Sequence, residues 1–74
     1  MAQVDVKSEI TGKVWKIETK PGDKLAEDDP ILILESMKME IPIMAPVDGT
    51  LVEILVSEED AIEEGQTVAL MDED

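Results

Sequence analysis

Gly12-Lys13-Val14-Trp15-Lys16-Ile17 and Gly49-Thr50-Leu51-Val52-Glu53-Ile54 are two writings of one strand, 37 residues apart. Each opens on glycine and carries branched apolar residues at its third and sixth positions. The correspondence extends in both directions without a gap. Upstream, Val4 and Val6 fall on Ile41 and Ile43, and Ile10 falls on Val47. Downstream, Asp23-Lys24-Leu25 falls on Asp60-Ala61-Ile62, while Ile31 and Ile33 fall on Val68 and Leu70. The period lies in the range of repeat architectures, but two copies are too few for a solenoid. The chain therefore reads as one domain, residues 1–74, with half-repeats at about 4–37 and 41–74 closed about a pseudo-twofold axis.

Each half reads as short strands. Val4-Asp5-Val6-Lys7 alternates apolar and charged residues, as a half-buried strand does. Gly12 to Thr19 makes a second strand with a turn glycine at its start. Lys20-Pro21-Gly22-Asp23 is a turn, in which proline presets one φ and glycine supplies a positive one. Ile31 to Leu34 is an apolar run short enough for a strand. The second half repeats these elements at Ile41–Met44, Gly49–Val56 and Val68–Met71. The spacing of Val14, Ile17 and Thr19 breaks strict alternation and marks a bulge. Leu25–Asp29 and Ile62–Gln66 are polar connections with room for another short strand or turn. No stretch keeps a 3.6-residue period. The expected fold is all-β: six to eight short strands in a flattened barrel or sandwich, two four-stranded sheets at the full count, in which the two halves bury each other and neither folds alone.

Composition narrows the function. The chain has no cysteine and no histidine. It therefore has no disulfide, no thiolate metal site and no imidazole base. Trp15 is the single aromatic residue; aligned with Val52, it reads as a packing residue at a strand edge. With 74 residues there is little room for an enclosed active site, so an enzyme is not expected. Six basic side chains against nineteen acidic ones leave a net charge of −13. That field repels nucleic acid and anionic membranes and favours a partner with a basic docking surface. Asp28-Asp29 and Glu58-Glu59-Asp60 lack the spaced carboxylates and turn glycine of a calcium loop, so no metal is expected. The chain shows no signal peptide, apolar span or lipidation motif, which makes the cytosol the expected location.

Glu35-Ser36-Met37-Lys38-Met39-Glu40 joins the last strand of one half to the first of the next. Its counterpart in the repeat is the pair of chain ends. A twofold fold thus places a tight hairpin at one end, with Lys38 at its centre, and the free termini at the other. No Asn-Gly or Asp-Gly announces this turn; only the repeat places it. Taken alone, Met37 and Met39 read as ordinary core residues flanking an exposed lysine in an alternating strand; the position between the repeats reverses that reading. At a hairpin tip they become two exposed, adaptable thioethers on either side of a primary amine. Glu35 and Glu40 flank the motif, for solubility or for orienting a partner. Lys7, Lys13, Lys16, Lys20 and Lys24 occupy no such junction.

The motif Glu35-Ser36-Met37-Lys38-Met39 resembles the Glu-Ala-Met-Lys-Met of biotinyl domains. Ile43-Met44-Ala45-Pro46-Val47-Asp48-Gly49-Thr50-Leu51 resembles the strand and turn that follow it there. The likeness runs from about Val4 to Met71. It is nearest to the short stand-alone biotin/lipoyl attachment proteins and to the carrier domains of biotin-dependent carboxylases. It implies covalent biotin on Lys38, with Met37 and Met39 read by a biotin protein ligase and Glu35, Ser36 and Glu40 as the flanks of the hairpin. It further implies a non-catalytic carrier that shuttles a carboxyl group between biotin carboxylase and carboxyltransferase sites, often with an acyl-CoA as acceptor. Tethering would raise the local concentration at both sites.

The sequence departs from the family at four places. Ser36 replaces the usual alanine. Ala26-Glu27-Asp28-Asp29 replaces a Gly-Gln turn. Glu59 stands where a glycine often precedes Asp60. The gapless repeat also leaves no space for the protruding thumb of some bacterial carriers. Two other readings stand beside the biotin carrier. Lipoyl carriers share the architecture, but usually place an acidic residue before the lysine and a small one after it, so the two methionines favour biotin over lipoate. An unmodified interaction module of the same fold would instead work through its acidic face.

Overall fold

The computed structural model describes residues 2–74. The chain forms eight strands: β1 (Ala2–Lys7), β2 (Gly12–Ile17), β3 (Lys24–Leu25), β4 (Pro30–Ser36), β5 (Met39–Met44), β6 (Gly49–Ile54), β7 (Ala61–Ile62) and β8 (Thr67–Glu73). Each of the first four reappears 37 residues later with unchanged length. The strands make two antiparallel sheets, ordered β1-β8-β6-β3 and β5-β4-β2-β7. Advancing the first order by one half-repeat yields the second. Each sheet therefore mixes strands of both halves, which explains why neither apolar face can be covered by its own half alone.

The core repeats with the backbone. Val6, Val14, Leu25, Ile31, Leu32 and Leu34 are buried, and so are Ile43, Leu51, Ile62, Val68, Ala69 and Met71, their counterparts 37 residues on. Burying a branched apolar side chain contributes roughly 1.5–3 kcal/mol. The remaining pair is Ser8 and Ala45, both buried. The Ser8 hydroxyl is satisfied locally, donating to the Ile10 carbonyl at 2.6 Å and accepting the Ile10 N–H at 3.2 Å.

Bulges decide which apolar residues point inward. The expected bulge in β2 lies between Val14 and Lys16, and β6 bulges at the matching place between Leu51 and Glu53. A further pair, which alternation did not reveal, shifts the register at Ile31 and Val68. Ile31 and Leu32 consequently both face the core, while Ile33 is only half-buried. The extra residue of the β2 bulge is Trp15, which is 44% exposed. It is thus not the packing residue its alignment with Val52 suggested.

The glycines that open β2 and β6 also differ from expectation. Neither Gly12 nor Gly49 has a positive φ; Gly22 and Gly65 do. At Gly12 the constraint is a close approach: a Cβ there would lie 2.7 Å from the Glu35 carbonyl oxygen. At Gly49 a Cβ would collide with the Asp72 carbonyl. Strand β2 ends at Ile17 and β6 at Ile54, two residues short of the expected lengths, while β4 and β8 run longer.

Four turns close the strands, and they too obey the repeat. Asp23 N–H donates to the Lys20 carbonyl at 3.1 Å, as Asp60 N–H does to Ser57. Asp29 N–H donates to Ala26 at 3.0 Å, as Gln66 N–H does to Glu63. In each pair one turn has glycine at left-handed φ and the other an acidic residue. Gly22 (97°) matches Glu59 (79°), and Gly65 (85°) matches Asp28 (75°). The turns that depart from the family's glycine pattern thus keep the backbone shape a glycine would take. No helix among the described residues is long and apolar enough to cross a membrane.

Candidate functional site: the β4–β5 hairpin

Strands β4 and β5 pair through Leu34↔Ile41, Glu35↔Glu40 and Ser36↔Met39, leaving Met37 and Lys38 as a two-residue loop. Both have positive φ, 51° and 66°. Positive φ at both central residues defines a type I′ turn, whose twist matches that of a strand pair. Asparagine and glycine normally fill it. Methionine and lysine there are strained, and such strain concentrates at functional positions. The counterpart of the tip in the repeat is the chain ends, where Ala2 pairs with Glu73 and the Asp74 N–H donates to the Asp48 carbonyl.

The side chains follow from this backbone. Met37 is 92% exposed and Met39 is 59% exposed. These values remove the reading in which the two methionines belong to the core. Lys38 is exposed between them and makes no ion pair among the described residues. Glu35 and Glu40 are exposed and directly opposed across the hairpin. Cross-strand Cβ atoms at such a pair lie about 4.5–5.5 Å apart, so the two carboxylates form a like-charged step below the tip.

Ser36, a departure from the family pattern, has a contact that alanine could not make. Its hydroxyl donates to the Thr11 carbonyl at 3.0 Å. The Thr11 hydroxyl in turn accepts the Glu64 N–H at 3.3 Å. Thr11 therefore ties the hairpin base to the β7–β8 turn. Sequence reasoning named Ser36 but missed Thr11; only the β1–β2 loop passing beside β4, allowed by the bare Gly12, brings them together.

The set Glu35, Ser36, Met37, Lys38, Met39 and Glu40 is thus gathered on one protruding hairpin. Its chemistry suits amide formation: one accessible amine on a long stem, between apolar grips. No group of three or more Asp or Glu side chains among the described residues could hold a metal ion.

Fold and hairpin define a class: a twofold-repeated β-domain that presents one lysine on a strained turn. The family model described as "Biotin-requiring enzyme" matches residues 2–71. The chain is 39% identical over 67 residues to a biotinylated protein TB7.3 homolog of Mycobacterium leprae, covering 90% of this chain and 94% of that one. It is 40% identical over 63 residues to a biotin/lipoyl attachment protein of Bacillus subtilis, covering 85% and 86%. Among solved structures, urea carboxylase of Kluyveromyces lactis contains a region that superposes with a TM-score of 0.92 at 32% identity. That match covers 97% of this chain but 6% of the enzyme. The chain belongs to the biotin-requiring enzyme family.

Proposed function

We propose that this chain, acting as one domain over residues 1–74, is a non-catalytic biotin carrier whose attachment point is Lys38. The observation that carries the reading is the exposed Lys38 at the centre of a strained type I′ turn that joins the two half-repeats. The family match and the two relatives named for biotin or biotin/lipoyl attachment support it.

In this reading the unprotonated Nζ of Lys38 attacks the acyl carbon of a biotinyl-adenylate held by a biotin protein ligase. An amide bond forms, the bond from the acyl carbon to the phosphate oxygen breaks, AMP leaves, and the amine's proton passes to a base outside this domain. Met37 and Met39 fit apolar sockets on the ligase. The turn leaves Lys38 exposed. Biotin, when bound, supplies a ureido nitrogen that takes up and returns a carboxyl group. The body measures 36 × 19 × 18 Å, and Ser36 and Thr11 brace the hairpin base. The partners are then a biotin carboxylase and a carboxyltransferase in the cytosol. The carboxyltransferase, rather than this hairpin, selects the acceptor, for which the resemblance suggests an acyl-CoA.

The test is intact-mass analysis after incubation with biotin ligase, ATP and biotin, with Lys38→Arg beside the wild type. One biotinyl group on the wild type and none on the variant is the expected result. The relative named for biotin/lipoyl attachment makes lipoate the second reading. A parallel incubation with lipoate ligase that modified the wild type faster than biotin ligase does would favour it.

A further inference from the structure

We propose that a second copy of this chain is a built-in partner: two molecules exchange half-repeats by opening the Met37–Lys38 turn, and the exchange withdraws Lys38. The interleaved sheets carry the argument. Each sheet combines β1 and β3, or β2 and β4, with strands of the other half. The only covalent link between halves is the two-residue loop. Nothing in the pairing requires the two halves to come from one chain.

The register makes the open form continuous. In the pairs Leu34↔Ile41, Glu35↔Glu40 and Ser36↔Met39, each step up one strand is matched by a step down the other. If the turn straightens, the next pairs are Met37 of one copy with Lys38 of the other, and the reverse. Strands β4 and β5 then run on as one ribbon, antiparallel to the same ribbon of the second copy, with no residue inserted or skipped. The two left-handed residues, at 51° and 66°, become extended, which releases their strain in both copies. Short strained hinges favour this kind of exchange.

Charge opposes it. Exchange brings two hairpin ends together. Glu35 and Glu40 lie beside the loop, and Glu64 is tied to it through Thr11 and Ser36. Glu9 and Glu63 neighbour these contacts in sequence, and all five carboxylates are exposed. Each copy also carries a net charge of −13. Salt screens this repulsion, the Debye length falling from about 10 Å at 0.1 M to about 3 Å at 1 M. The closed monomer is therefore the low-salt, dilute form, and exchange grows with salt and concentration. In the exchanged dimer Lys38 lies within a ribbon between two bodies instead of on a tip. This consequence rests on the carrier reading; the exchange itself does not.

The experiment refolds the full chain from denaturant at high protein concentration, in low salt and in about 1 M NaCl, and measures mass by light scattering after size exclusion. Met37→Asn/Lys38→Gly, which gives the turn its preferred residues, is treated alike. Expected are a dimer that increases with salt, and a dimer fraction at least roughly tenfold lower in the variant as the strain disappears. The isolated wild-type dimer should accept biotin from the ligase at least roughly tenfold more slowly than the monomer from the same preparation. A wild type that stays monomeric in both salts overturns the proposal. So does a dimer equally abundant in the variant, or one modified as fast as the monomer. If the monomer itself is not biotinylated, the carrier reading fails, while mass and variant still decide the exchange.

Discussion

Replacing Glu59 or Asp28 by glycine should stabilise the domain, although each change removes a side chain. Glu59 holds φ 79° where its counterpart is Gly22, and Asp28 holds φ 75° where its counterpart is Gly65. An L-residue in this region is strained by about 1–2 kcal/mol. Glycine removes the strain but returns about 0.5–1 kcal/mol to the unfolded chain as conformational freedom. Glu59→Gly also deletes the Lys13–Glu59 ion pair, 3.8 Å long with side chains 49% and 75% exposed. An exposed pair of this kind contributes only about 0–0.5 kcal/mol. Asp28 has no ion pair among the described residues, but aspartate adopts left-handed φ more readily than glutamate, so less strain is released. Each substitution should gain about 0.5 kcal/mol. The double variant should gain about 1 kcal/mol and raise Tm by roughly 4–8 °C for a domain this size. The repeat supplies its own control. A Cβ at Gly22 or Gly65 meets nothing within 4 Å, so Gly22→Ala and Gly65→Ala test backbone strain without a clash. Each should lose about 0.5–1 kcal/mol. Urea unfolding followed by circular dichroism reads all four. A fall in midpoint for both glycine variants, with the alanine variants unchanged, would refute strain as the cause.

Gly49→Ala drives a Cβ into the Asp72 carbonyl and should destabilise by about 2–3 kcal/mol in the same assay. Ser36→Ala should shift stability by less than about 0.5 kcal/mol, because the exposed Thr11 can turn its carbonyl to water. Amide exchange at Met37, Lys38 and Met39 should nevertheless quicken once the brace is gone. Met37→Glu alters a side chain that is 92% exposed, so the unfolding midpoint should hold. Ligation should slow by about tenfold as one apolar anchor is lost, read from initial rates of biotin incorporation. Truncation after Lys38 leaves β1 and β3 without their partners β8 and β6. That fragment should be unfolded by circular dichroism and a poor ligase substrate.

The repeat made most of the fold legible. Because the two halves align without a gap, recognising Gly12-Lys13-Val14 in Gly49-Thr50-Leu51 was enough to expect six to eight strands, twofold closure and a hairpin at Lys38. Other features depend on contacts distant in sequence. The bulges at Ile31 and Val68 shift the inward face by one residue, and a continuous apolar run hides such a shift. Gly12 reads as a turn residue until β4 is known to pass against it. Trp15 reads as packing until the β2 bulge turns it outward. At the site, position and exposure followed from the repeat. The left-handed turn did not, because Met37 and Lys38 are poor residues for it; local preference misleads where the backbone is held under strain. The brace through Thr11 crosses 25 residues of sequence and leaves no local signature.

The most direct test of the central claim is peptide-level mapping of the ligase product made from the folded chain. The hairpin account predicts a single biotinyl group on Lys38, with Lys7, Lys13, Lys16, Lys20 and Lys24 unmodified, although all six lysines carry the same amine. Modification of another lysine, or a folded chain that accepts none, would contradict it.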